Sequence, residues 1–126
     1  RLLLVKRALE PRKGCWDFAG GYIELTESPK AAVVREVKEE LGVNSEVIRL
    51  FNVYGATRYV YQNKTRYNCD IYYLVKLLDH NLQPADDAEE YRWFSLDELP
   101  EPEQIAFPAQ LQLIAEIKND PSLKQL

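Results

Sequence analysis

The chain has no methionine, one histidine and two cysteines, and no apolar run near the length of a membrane span. Each shortage closes off a class of function. Cys15 and Cys69 lie far apart with no C-x-x-C pattern, and His80 is the sole histidine, so the makings of a cysteine–histidine zinc site are missing. The same shortage would leave Ser-His-Asp or Cys-His catalysis dependent on His80, which stands in a polar stretch and reads as solvated. Two free thiols fit a reducing, cytoplasmic setting, with a Cys15–Cys69 disulfide as the open alternative. A membrane-crossing helix needs about 20 mostly apolar residues; no such run and no signal peptide is visible, so no membrane partner is expected. The net charge of −4 provides no global basic field for nucleic acid. An anionic ligand would therefore need a metal and local Arg or Lys. The missing Met and a start inside a strand-like run lead us to expect further natural sequence upstream. The 126 residues are enough for one domain with a real core.

What is present is a stretch from Gly20 to Val43 whose second half reads as a helix over about residues 29–41. Ser28 suits the N-cap, Pro29 the first helical position, and Gly42 a left-handed C-terminal turn. Val33, Val34, Val37 and Leu41 recur at three- and four-residue steps as an apolar stripe. At about 100° per residue, Glu36, Glu39 and Glu40 fall together away from that stripe. Two carboxylates about 6 Å apart repel by about 3 kcal/mol at an effective dielectric near 20. Such a cluster on a packed helix calls for a cation, and oxygen ligands carrying several charges suit Mg²⁺ or Mn²⁺. A solvated acidic face is the competing reading. Arg35 beside Glu36, and Glu27 just before the cap, favour a built site, because an Arg can hold a carboxylate through a bidentate contact. The Gly20-Gly21 pair allows the backbone to approach a ligand or metal closely.

Along the rest of the chain, Leu2 to Val5, followed by Lys6-Arg7, reads as a buried strand. Residues 8–15 read as a loop, and Trp16–Phe18 and Tyr22-Ile23 as short strands flanking the glycines. Glu46 to Tyr61 is strand-like, with a bulge or break at Gly55. A turn at residues 62–65 leads to a return strand, Tyr67 to Leu78, with Cys69, Ile71, Tyr73 and Val75 on one face. Residues 79–90 read as an acidic loop and Tyr91–Phe94 as a strand. Ser95 could cap a helical turn over Leu96–Leu99. A last helix from Pro108 to about Lys118 would turn Leu111, Ile114 (or Leu113) and Ile117 inward. The order of elements fits an α+β fold.

Gly21, Glu27 and the run Arg35-Glu36-Val37-Lys38-Glu39-Glu40-Leu41-Gly42-Val43 together resemble the Nudix box, with no defining position missing. Trp16 to Gly21 and Arg92 to Pro100 also look like segments common in that family. Ala19 stands where many members have Pro, a change expected to alter a turn and not the chemistry. The resemblance implies a single Nudix domain over residues 1–126, lacking its N-terminal strand, with a mixed β-sheet sandwiched between helices (α/β/α). It implies metal-dependent hydrolysis of the pyrophosphate bond in a nucleoside diphosphate linked to another group. Glu36, Glu39, Glu40 and the Gly21 carbonyl would hold Mg²⁺ or Mn²⁺. Arg35 and Glu27 would orient the cluster.

The general base stays open: it could sit in the box or in the acidic stretch before residue 91, where Glu89 and Glu90 are candidates, with Asp86 and Asp87 behind them. Bases stack on aromatic rings, which makes Trp16, Phe18, Tyr59, Tyr61 and Phe107 candidates against a plain core role. Arg7, Arg58, Lys64 and Arg66 could meet phosphates, and Glu24 could touch substrate or metal. ADP-ribose, a dinucleotide or a nucleotide sugar is the favoured substrate. The alternatives are a nucleoside triphosphate, or a Nudix domain that senses a nucleotide without cleaving it. A homodimer is a further expectation from the resemblance alone.

Overall fold

The computed structural model describes residues 1–124, leaving aside the side chains of residues 56 and 57. Leu4 and Val5 are neighbours in strand β1 (Leu2–Arg7), so they face opposite ways. Both are nearly inaccessible, which requires cover on both sides of the sheet. Helix α1 (Pro29–Leu41) supplies one cover: Val5 packs with Val37, Leu41, Val43 and Ala88. Helix α2 (Ala109–Lys118) supplies the other, where Leu4 packs with Trp16, Ile105 and Ile114. The sandwich of sheet between helices is thus set by two adjacent residues of one strand.

That sheet has the order β2-β1-β5, with β2 at Trp16–Asp17 and β5 at Ala88–Phe94. A second sheet is the long hairpin of β3 (Ser45–Tyr61) and β4 (Lys64–Leu77). The α+β class follows. Ladders among the described residues are antiparallel, and the parallel component is the single bridge between Trp16 and Ile105.

The caps of α1 fall where the sequence places them. Ser28 Oγ accepts from the Ala31 N–H at 3.1 Å, and Gly42 closes the helix at φ 72° with its N–H on the Lys38 carbonyl. Gly42→Ala is expected to lower stability by about 1 kcal/mol, because the left-handed turn disfavours a β-carbon; urea unfolding measures it.

Several local expectations change. Tyr22-Ile23 is not a strand: the Tyr22 carbonyl accepts from the Arg35 side chain and not from a sheet partner. Strand β3 runs through Gly55, which lies where the register with β4 shifts between Tyr54 and Thr57, as a bulge would require. The hairpin turn is the pair Gln62-Asn63, with φ of 51° and 60°, as a two-residue primed turn demands, so β4 starts at Lys64. Cys69 is exposed, whereas Ile71, Tyr73 and Val75 are half-buried. Ser95 caps a turn as expected, its Oγ accepting from the Asp97 N–H at 3.4 Å, but the turn spans only residues 96–97 and no helix forms; a 3₁₀ turn follows at Pro102–Gln104. In α2 the inward residues are Gln110, Leu113 and Ile114; Leu111 points outward. Glu89 and Glu90 belong to β5, because Lys6 pairs with Glu90 across the ladder; the acidic loop ends before Ala88.

Candidate active site

Arg35, in the middle of α1, organises the acidic segment. Its Nε and Nη2 donate to the two oxygens of Glu27 at 2.7 and 2.9 Å, a fork that suits a planar guanidinium. Its Nη1 donates to Glu36 Oε1 at 2.8 Å and to Glu39 Oε2 at 3.0 Å, and Nη2 also reaches the Tyr22 carbonyl at 3.0 Å. Glu24 lies at the margin, 3.6 Å from Nη1 and mostly exposed, while its backbone N–H donates to Glu27. One side chain thus ties the loop after the glycines to the helix face. The Glu27 carboxyl is held down at about 2, first by Arg35 and then by the Glu24 N–H. The Arg35 charge is stabilised in return.

Gly21 fits against Glu36 without room for a side chain. A β-carbon there would sit 2.6 Å from Glu36 Cδ and 2.9 Å from Oε2. The sequence signal of a close backbone approach is thereby explained. Burial raises the Glu36 pKa despite the opposing Arg35 contact, and Glu39 and Asp87 add to the rise.

Glu40 differs most from expectation. The helical wheel groups it with an acidic face, yet it is only 5% exposed. Its Oε2 accepts from the Gly20 N–H at 3.2 Å. Burial pushes its pKa up to about 8, with the charges of Glu36, Asp17 and Asp87 adding to the rise. In chelator the folded protein therefore holds a proton on Glu40 where the unfolded chain, near the ordinary value of 4.5, has lost it. Stability falls as pH rises through that window, by about 3–5 kcal/mol in total from this group. Melting temperature measured from pH 5 to 9 should show the decline, and Glu40→Gln should flatten it. Glu27 acts in a separate window: its contribution is present above the ordinary carboxylate range and is lost as pH falls towards 2.

Among the described residues, no group of three or more His, Cys, Asp or Glu side chains is gathered around one point as a metal cage. The donor chemistry nevertheless fits a hard divalent cation. The available atoms are the carboxylates of Glu36, Glu39 and Glu40 and the Gly21 carbonyl, all oxygen. A buried carboxyl facing three other acids, with the Gly20 N–H to satisfy it, is a site where a cation relieves repulsion.

The other candidates separate. Glu90 pairs with Lys6 at 3.4 Å and Arg92 at 3.3 Å, and Glu89 is exposed beside it, so neither joins the Arg35 cluster. Asp87, ranked behind them in the sequence, is the acid of that stretch whose charge acts on both Glu36 and Glu40. Asp17, not singled out from sequence, also acts on Glu40 and pairs with Arg7 at 2.9 Å. Trp16 is 6% exposed, edge to face with Phe94 and covered by Lys6 and Arg92, so no face remains for a base. Phe18 is half-buried against Tyr72. Arg58 and Tyr59 join Glu36 and Gly21 in lining a cleft of about 1470 Å³.

Residues 1–116 match the family model described as the NUDIX domain. The chain belongs to the Nudix family. It is 35% identical over 100 residues to an ADP-ribose pyrophosphatase of Methanocaldococcus jannaschii, which covers 79% of this chain and 57% of that protein. Among solved structures, a MutT NUDIX hydrolase from Burkholderia pseudomallei superposes with a TM-score of 0.74 at 29% identity, covering 92% of this chain and 86% of the other. An ADP-ribose pyrophosphatase from Streptococcus suis gives 0.64 at 28% identity, covering 94% and 83%. The Nudix chain spans 57% and 59% of the length of two curated relatives that it matches. No helix among the described residues is long and apolar enough to cross a membrane.

Proposed function

We propose that this Nudix domain hydrolyses the pyrophosphate bond of a nucleoside diphosphate joined to another group, with Mg²⁺ or Mn²⁺ as its cation. The observation that carries the reading is the composition of the cleft. Glu36 and Gly21 line it together with Arg58, Arg66, Tyr59 and Phe107. A diphosphate ester of a nucleoside needs all three chemistries: cation ligands at the reacting phosphorus, fixed positive charge and aromatic surface.

A divalent cation, when bound, neutralises phosphate charge and acidifies a water molecule. The protein's own part is positional. Arg35 fixes Glu36 and Glu39 on one side and Glu27 on the other, so the carboxylates keep their places without ligand. Gly21, lacking a side chain, leaves space beside its backbone for the Glu36 carboxylate. Burial holds the proton on Glu40 near neutral pH, and its carboxylate form would be the ligand offered to a cation. Phe18, Arg58 and Tyr59, which line the cleft, are the proposed substrate contacts, with Glu24 as a further candidate beside Arg35.

The names of the Methanocaldococcus and Streptococcus relatives support an ADP-ribose-like substrate. The test is product release from ADP-ribose, NADH, diadenosine polyphosphates, nucleotide sugars and nucleoside triphosphates, each with Mg²⁺, Mn²⁺ or chelator. Metal-dependent cleavage of a nucleoside diphosphate derivative is expected. Cleavage of triphosphates alone would replace the substrate class. Binding that raises the melting temperature without cleavage would overturn the enzyme reading in favour of a nucleotide sensor.

A further inference from the structure

Tyr22 leaves 70% of its surface to solvent, yet it is held at both ends. Its carbonyl accepts from Arg35, which anchors its backbone to the acidic centre. Its hydroxyl meets the hydroxyl of Tyr59, with Asn68 as a second partner. Tyr59 packs edge to face on Phe107, with centroids 6.0 Å apart and planes at 64°. The far side of this chain of rings is closed by Arg7, 5.3 Å over Phe107. The brace thus runs from the loop after the glycines, through the β3–β4 hairpin, to the segment before α2.

An exposed ring with a free tip loses conformational freedom when something stacks on it. A ring fixed at its hydroxyl has already lost that freedom, so stacking costs less. Tyrosine suits this use because it offers a large, rigid, amphipathic surface with only two side-chain torsions. Fixing an exposed ring adds little to a core, since the ring buries little surface. Tyr22 follows Gly21 directly and lines the cleft that Glu36 also lines. Arg66 lies close enough for its charge to act on the Tyr22 hydroxyl, which places positive charge beside the ring.

We propose that Tyr22, braced by Tyr59, is the surface on which the base of the nucleotide stacks. The inference rests on reading the acidic centre as a pyrophosphohydrolase, and it adds the residue that receives the base. Stacking accepts any base, because every base has a π face. The subsite therefore requires a base without choosing strongly between purine and pyrimidine.

The test uses AMP and ribose 5-phosphate as paired probes, titrated calorimetrically into the whole chain in Mg²⁺. The two share ribose and phosphate, so their affinity ratio isolates the base. AMP should bind about tenfold tighter or more, in line with one stacked base. Tyr22→Ala should reduce the ratio to below about threefold, while Tyr22→Phe, which keeps the ring, should preserve most of it. A ratio near one in the parent protein would overturn the inference. So would a ratio unchanged in Tyr22→Ala, including the case in which both ligands weaken equally, because that marks a structural role for the loop. If the ratio behaves as expected but no nucleotide is cleaved, the hydrolase reading fails and the base platform stands.

Discussion

Glu40→Gln should reduce metal-dependent hydrolysis by about 10²–10⁴-fold, with no loss of folding stability at pH 8 and above. The two halves of this expectation have one cause. Glu40 is buried beneath the Gly20 N–H and faces the charges of Glu36, Asp17 and Asp87. A charge placed there is unfavourable for the fold and useful only when a cation shares the site. Glutamine has the same shape and keeps an oxygen for the Gly20 N–H, so the hydrogen bond and the packing survive. It removes the anionic ligand and the proton equilibrium together. The measurement is kcat in saturating Mg²⁺ beside a thermal melt in chelator. A variant as active as the parent would remove Glu40 from the centre. A variant that has lost both activity and several degrees of melting temperature would make Glu40 a structural residue.

This burial marks the limit of what the sequence discloses. The caps of α1 are local chemistry, and Ser28, Pro29 and Gly42 specify them without reference to the rest of the fold. The pairing of Arg35 with Glu27 and Glu36 is nearly local, since the helix and the preceding loop bring these residues within one side chain's reach. Periodicity cannot tell which carboxylate on an acidic face will be covered. That depends on the Gly20 loop folding back over the end of α1. Glu89 and Glu90 are misplaced for a similar reason: their composition reads as loop, but β1 pairs with Ala88 and Glu90 on either side of a register shift at Glu89, and tertiary pairing overrides propensity. Trp16 was ambiguous between core and ligand platform, and β2 turns it inward against Leu4 and Ile114. Tyr22 is missed from sequence: with Ile23 it reads as a short strand, and only the contact with Tyr59 reveals that an exposed loop ring is held.

Arg35→Lys is expected to lower hydrolysis by about 10–100-fold and to reduce the melting temperature, although it conserves charge. Arg35 serves three carboxylates and one carbonyl with three nitrogens in a fixed plane. An ammonium is a single point with three donors on a flexible stem. It can neutralise Glu27 or approach Glu36, but it cannot hold both at the spacing set by the fork. Glu27 would lose the contact that contributes most to its low pKa, so its protonation should move up towards the ordinary carboxylate range. The acid limb of a stability–pH curve should shift to higher pH in the variant, because the Glu27 contribution is lost at its folded pKa as pH falls. The Tyr22 carbonyl would lose its anchor as well, so the loop carrying Gly21 and Tyr22 should become more mobile. A lysine variant with parental kcat and an unshifted acid limb would show that charge alone is enough at this position. A shifted acid limb with parental kcat would confine Arg35 to stability and leave the spacing of the acidic centre to the helix.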